Sequence, residues 1–125
     1  MLVTNRPGPA PRPACYALPV VDDFYCDEIL SGRTKVVIVH ETPAVLAFAH
    51  TRPHYKAAHV VVIPKSHIAS FTEFADDDAG IVAEVWEVAR LVAERLTELH
   101  GGAHIVTNVG KYQDSKHFHV HVGAD

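Results

Sequence analysis

His117-Phe118-His119-Val120-His121-Val122 alternates imidazole and apolar side chains without a break. A β-strand points successive side chains to opposite faces, so the three rings share one face while Phe118, Val120 and Val122 share the other and can enter a core. Alternate Cα atoms along a strand stand roughly 7 Å apart, which lets neighbouring rings act together on one small anion such as phosphate. Neutral imidazole is a nucleophile as well as a proton donor or acceptor. One ring can therefore attack phosphorus while its neighbour hydrogen-bonds a non-bridging oxygen. Two other uses of the pattern stand beside this one: a strand face open to water, and chelation of zinc by a His-x-His pair. Zinc lacks an obvious third partner, because Cys15 and Cys26 do not form a close Cys-x-x-Cys pair and there is no His-Glu-x-x-His helix.

Upstream of this strand the chain supplies the rest of a small sheet. Residues 35–40 are rich in β-branched side chains, Glu41-Thr42-Pro43 is turn chemistry, and residues 44–49 form a second apolar run, which together predict a hairpin. Residues 58–63, stopped by Pro64-Lys65, predict a third strand, central because it is continuously apolar. Asp76-Asp77-Asp78 opens a long helix: Ile81, Val85, Val88, Val92, Leu96 and Leu99 recur at helical spacing until Gly101-Gly102 ends it. The acidic start is explained by the helix macrodipole rather than by a cation site. Trp86 and the valine stripe predict core or subunit surface. Residues 103–108 and 117–122 predict a fourth and a fifth strand, with a polar loop between them. A short helix is expected from Asp22 to Leu30, with Phe24, Tyr25, Ile29 and Leu30 apolar. The fold class is therefore α+β, an antiparallel sheet of about five strands with one long and one short helix.

At 125 residues the chain holds one domain, and 48% apolar with 21% charged residues is an ordinary globular balance able to bury a core. Prolines at 7, 9, 11 and 13 predict a flexible tail over residues 1–14, ahead of a single domain over 15–125. A formal charge of −4 offers no basic field for general nucleic-acid binding. No signal-type or membrane-length apolar run is present, and two cysteines make no disulfide framework, so a soluble, cytoplasmic protein is expected. Ten histidines remain to be explained. Of those outside the alternating strand and His59, His67 is assigned a structural role at a strand end, and His40, His54, His100 and His104 are assigned no function.

Taken with Leu46-Ala47-Phe48, His59-Val60-Val61-Val62-Ile63-Pro64-Lys65-Ser66-His67-Ile68, Asn108-Val109-Gly110 and Gln113, the alternating strand resembles the signature of the histidine triad (HIT) family of nucleotide hydrolases and transferases. The similarity spans about Asp22 to Gly123. It implies a five-stranded antiparallel sheet with a long helix, usually paired into a homodimer, that works without a metal or other cofactor. The middle triad residue, His119, corresponds to the family nucleophile, which attacks the α-phosphorus of a nucleotide derivative and forms a nucleotidyl-histidine that water hydrolyses. His121 corresponds to the ring that binds a phosphate oxygen, and His117 with His59 to the pair that orients the site. Asn108 and Gln113 match polar positions around the phosphate, and Phe48, with Ile29 and Tyr25, a wall of the nucleoside pocket.

Three positions depart from the pattern. Asp114 stands where many members place Ser or Thr beside the leaving group; a carboxylate there repels phosphate unless protonated, or serves as an acid for an amine leaving group. His50 stands at the ribose-binding acidic or amide position, in a loop one residue longer, and can still bond a ribose hydroxyl. Gly123 ends the triad where an apolar residue is usual. The resemblance thus implies a nucleotidyl hydrolase, a phosphoramidase or dinucleoside polyphosphate hydrolase. The alternatives are a weakly catalytic nucleotide-binding regulator and a zinc-binding module.

Overall fold

The computed structural model describes residues 23–125, so the tail expected over residues 1–14 lies outside the described residues. A short π-helical segment, Tyr25–Leu30, leads into β1 (Ile38–Glu41), β2 (Val45–Ala49) and β3 (Ala58–Pro64). The long helix α1 (Ala79–His100) follows, then β4 (His104–Val106) and β5 (Val120–Ala124). The five strands form one antiparallel sheet in the order β1-β2-β3-β5-β4. The expected α+β class and its single long helix are what the chain adopts.

β3 sits at the centre and is buried on both faces, which is why its run from Val60 to Pro64 is apolar at every step. Val60 and Val62 join Val45, Ala47, Val120, Val122 and Phe118 under the apolar stripe of α1. Val61 and Ile63 point the other way and pack with Leu46, Phe48, Tyr25 and Ile29, so the short helix covers the opposite face. Strand alternation thus sends β5's Val120 and Val122 to the helix and leaves the face of His119 and His121 beside the short helix. α1 ends where Gly101 takes φ 89° and returns its N–H to Thr97 O at 2.8 Å. Asp76–Asp78 form a 3-10 turn ahead of it, and Trp86 packs against the edge of the core.

The expected fifth strand starts too early. Residues 117–119 lie before the ladder because they bond to the chain leaving β3 instead: Phe118 N–H donates to Ile68 O at 2.6 Å and His117 Nε2 to Pro64 O at 2.8 Å. β1 and β4 are likewise shorter than residues 35–40 and 103–108 allow. Both are edge strands with every residue exposed, paired on one side only.

Gly123 has a packing reason. A Cβ built there would stand 2.1 Å from Cδ2 of Tyr55, because that ring lies flat on β5. Tyr55 belongs to the long loop between β2 and β3 and also stacks on His104. Gly123 and the loop that carries Tyr55 are therefore fitted to one another. Gly123→Val should cost about 1–3 kcal/mol by overpacking, measured by urea unfolding, and Tyr55→Ala in the same chain should recover part of that loss; an additive double variant would refute the coupling.

Candidate active site

The outer face of β5 opens into a cavity of about 1330 Å³, lined among others by Tyr25, Phe48, His59, Asn108, His119 and His121. Hydrogen-bond partners that can play only one role fix the proton positions on its imidazoles. His119 Nδ1 lies 2.7 Å from the carbonyl of His117, which only accepts, so Nδ1 carries the proton and the Nε2 lone pair is left for the cavity. The backbone N–H of His54 donates to His59 Nδ1 at 3.0 Å, so neutral His59 is protonated on Nε2 and donates to His121 Nδ1 at 2.9 Å. His121 then carries its own proton on Nε2. A bare ring nitrogen on His119 and an N–H on His121 thus stand on rings 4.9 Å apart.

Neutral rings are favoured here. Burial first, then the neighbouring His50 and His54 rings, lower the His59 pKa to about 4. Burial, followed by His119, His59, His50 and His54, lowers that of His121 to about 3. His119 is lowered mainly by burial; its bond to the His117 carbonyl and the Asp114 carboxylate oppose this. Tyr25 lies against His119, ring centroids 4.9 Å apart, and its hydroxyl is pushed up by burial.

His117 does not face the cavity. It is fully buried, with Nε2 bonded to Pro64 O and Nδ1 2.9 Å from Asp23 Oδ2. Asp23 Oδ2 also lies 2.5 Å from His67 Nδ1, while Oδ1 accepts the Cys26 N–H at 2.9 Å. Burial pushes the Asp23 carboxyl up, but the His117 bond and charge, the Cys26 N–H and His67 outweigh it and hold the group below its ordinary value. The idea that the triad chelates one ion is corrected by this division: among the described residues, neither group of convergent ligand atoms contains two triad histidines. In the His50-His59-His121 group, the lone pairs of His50 Nδ1 and His59 Nδ1 are already taken by the N–H groups of Arg52 and His54. The other group, Asp23, Cys26, His67 and His117, has its ligand atoms within 4.8 Å of one another.

Most of the residues singled out in the sequence meet in this region. Phe48, His50, Asn108 and Asp114 line the cavity. Two placements are corrected. Gln113 is buried and gives its amide N–H groups to Ala69 O and Ser115 O, at 2.7 and 2.9 Å, so it ties the loop together instead of lining the phosphate site. Ile29 lies beneath the wall, packed with Tyr25 and Phe48, and is not part of the cavity surface. His54, assigned no function, lines the cavity with Arg52 and Tyr55. Asp23 was missed altogether. The only signal for it was its place three residues before Cys26, where its carboxylate caps the short helix.

Residues 24–125 match the family described as "Scavenger mRNA decapping enzyme C-term binding". The chain is 32% identical over 102 residues to an uncharacterized HIT-like protein of Methanocaldococcus jannaschii, covering 79% of this chain and 75% of that one. It superposes with TM-score 0.68 on a HIT family hydrolase from Legionella pneumophila, at 30% identity, covering 78% of this chain and 88% of that one. The TM-score is also 0.68 with a zinc-bound histidine triad family protein from Mycobacterium smegmatis, at 31% identity and 77% and 70% coverage. The chain belongs to the histidine triad family.

Because His59 and His121 titrate below the ordinary 6.5 when folded, the unfolded state binds more protons once pH falls below about 6.5. Thermal stability should therefore fall as pH is lowered from about 6.5 toward 4, and the fall should be shallower in His121→Gln. Melting curves across that range check this; a flat profile in the parent protein contradicts the neutral assignment.

Proposed function

We propose that the protein is a nucleotidyl hydrolase or transferase in which His119 attacks the α-phosphorus of a nucleotide derivative. What carries the reading is the proton arrangement: a bare Nε2 on His119 beside the Nε2–H of His121, held by His59 from behind. The His119 Nε2–P bond forms as the bond from phosphorus to the leaving group breaks, and the leaving group departs with that electron pair. Water then attacks phosphorus and gives up a proton to solvent, the P–N bond breaks, and the lone pair returns to His119. His121 donates to a non-bridging oxygen as charge develops, and Asn108 adds a polar side chain at the same wall. Phe48 and Tyr25 offer apolar and aromatic surface for a nucleoside. Asp114 lines this cavity and, as an acid, suits an amine leaving group, which favours a phosphoramidate over a dinucleoside polyphosphate.

The same proposal includes a homodimer, since β4 is an edge strand with Ile105 and Val106 exposed. Among the described residues no helix is long and apolar enough to cross a membrane.

A second reading concerns structure, not catalysis. Asp23, His67 and His117 present one oxygen and two nitrogens, and Pro64 O orients His117 as an outer partner does for a metal-bound imidazole. This donor set fits Zn²⁺, the ion named for the Mycobacterium smegmatis neighbour. Cys26 is disulfide-bonded, so its sulfur joins as a thiolate only after reduction. Such an ion would brace the short helix against residues 117–119. Metal analysis of reduced protein, with melting curves before and after chelation, tests this: bound zinc whose removal lowers Tm supports it, and metal-free protein indifferent to chelator rejects it.

Mixing with adenosine 5′-phosphoramidate followed by mass spectrometry tests the catalytic reading. The wild type should gain a nucleotidyl mass, and His119→Ala should lose both adduct and at least about a thousandfold in turnover; an alanine variant that still turns over rejects His119 as nucleophile. Asp114→Asn should shift the acid-to-neutral pH profile, and an unshifted profile would sink the acid role.

A further inference from the structure

The described arginines divide sharply. On α1, Arg90 pairs with Glu87 and Glu94, and Arg95 pairs with Glu98. Arg33 and Arg52 both line the cavity, and among the described residues neither guanidinium has a carboxylate partner. A guanidinium is charged at every physiological pH and carries a rigid fork of donors matched to phosphate. Left unpaired inside a ligand cavity, it is a ready anion contact.

The two arginines differ in their surroundings. Arg33 shares its part of the chain with Asp27 and Glu28, carboxylates that line the same cavity and oppose an incoming phosphate. The stretch from His50 to Tyr55 contributes five lining residues, His50, Thr51, Arg52, His54 and Tyr55, and no carboxylate. Its donors are also sorted. The Arg52 N–H is given to His50 Nδ1 at 2.9 Å, which places the His50 proton on Nε2. The His54 N–H is given to His59 Nδ1. His50 stacks on His59, ring centroids 4.3 Å apart, with one nitrogen of each within 4.8 Å of one on His121. The loop is thus joined through His59 to the ring proposed to hold the attacked phosphate.

We propose that the loop from His50 to His54 is a second phosphate subsite, with Arg52 as its charged contact, and that the substrate carries a phosphoryl group in addition to the one His119 attacks. The inference rests on the nucleotidyl reading above and narrows its substrate class. A nucleoside 5′-phosphate bearing a second phosphate on the ribose and one bearing it on the 5′ chain share the required chemistry. In dinucleotide sites an acidic residue accepts from a ribose hydroxyl, whereas a nearby arginine accommodates a phosphate there; Arg52 is the arginine of this loop.

Calorimetric titration of the whole protein with AMP, ADP and adenosine 3′,5′-bisphosphate tests the subsite without any turnover. At least one of the two bisphosphorylated ligands should bind about tenfold more tightly than AMP, and that ratio should collapse toward one in Arg52→Ala while partly surviving in Arg52→Lys. Preference for the 3′,5′ compound places the second phosphate on the ribose; preference for ADP places it on the 5′ chain. Equal affinity for all three ligands in the wild type, or a ratio unchanged by Arg52→Ala, overturns the subsite. Because binding is read separately from adduct formation, loss of this inference leaves the His119 assignment standing, and an absent adduct with an intact affinity ratio does the reverse.

Discussion

The proton on His119 Nδ1 is bound to the carbonyl of His117, two residues back in the segment that leads into β5. A neutral imidazole has one proton and one lone pair, so fixing the first on Nδ1 directs the second, on Nε2, toward the cavity. The carbonyl is itself placed because residues 117–119 are held to the chain leaving β3 through Pro64 O and Ile68 O. Thr107 Oγ1 donates to the His119 carbonyl at 2.7 Å, tying the far side of the strand. The chemistry of one nitrogen thus depends on backbone geometry on both sides of β5.

Asp23 does comparable work from behind. Its side chain is completely buried and meets His117, His67 and the Cys26 N–H at once, so the short helix and the strand entering β5 meet at a single carboxylate. Tyr25, two residues on, lies over His119. Tyr25 and the proposed nucleophile His119 are consequently positioned by one buried polar group whose oxygens all have partners, the condition under which such a group is tolerated in a core.

The alternation of residues 117–122 was legible because period-two patterning is a direct consequence of strand geometry, and the central place of β3 followed from its unbroken apolar run. Strand limits were less legible: where β5 begins depends on bonds from Phe118 and His117 to residues roughly fifty positions earlier, which no local pattern encodes. The same holds within the site. Phe48, His50, Asn108 and the two cavity-facing triad rings could be found from sequence, whereas Gln113 was misplaced because its type suits phosphate contact and bonding to two carbonyls equally well. Arg52 gave no distinguishing signal and Asp23 only its place ahead of the short helix, since their significance lies in partners gained or lacking after folding.

The Tyr55 ring resting on Gly123 has a consequence for the energetics of ligand capture. The segment from His50 to Ala57 contains no glycine and includes Pro53, which fixes its own φ. It is also fastened by a ring on β5, by the His54 N–H to His59 and by the Ala57 N–H to Ala124 O at 3.0 Å. A loop already restrained in this way surrenders little backbone entropy when a small molecule arrives, so more of the contact enthalpy survives as affinity.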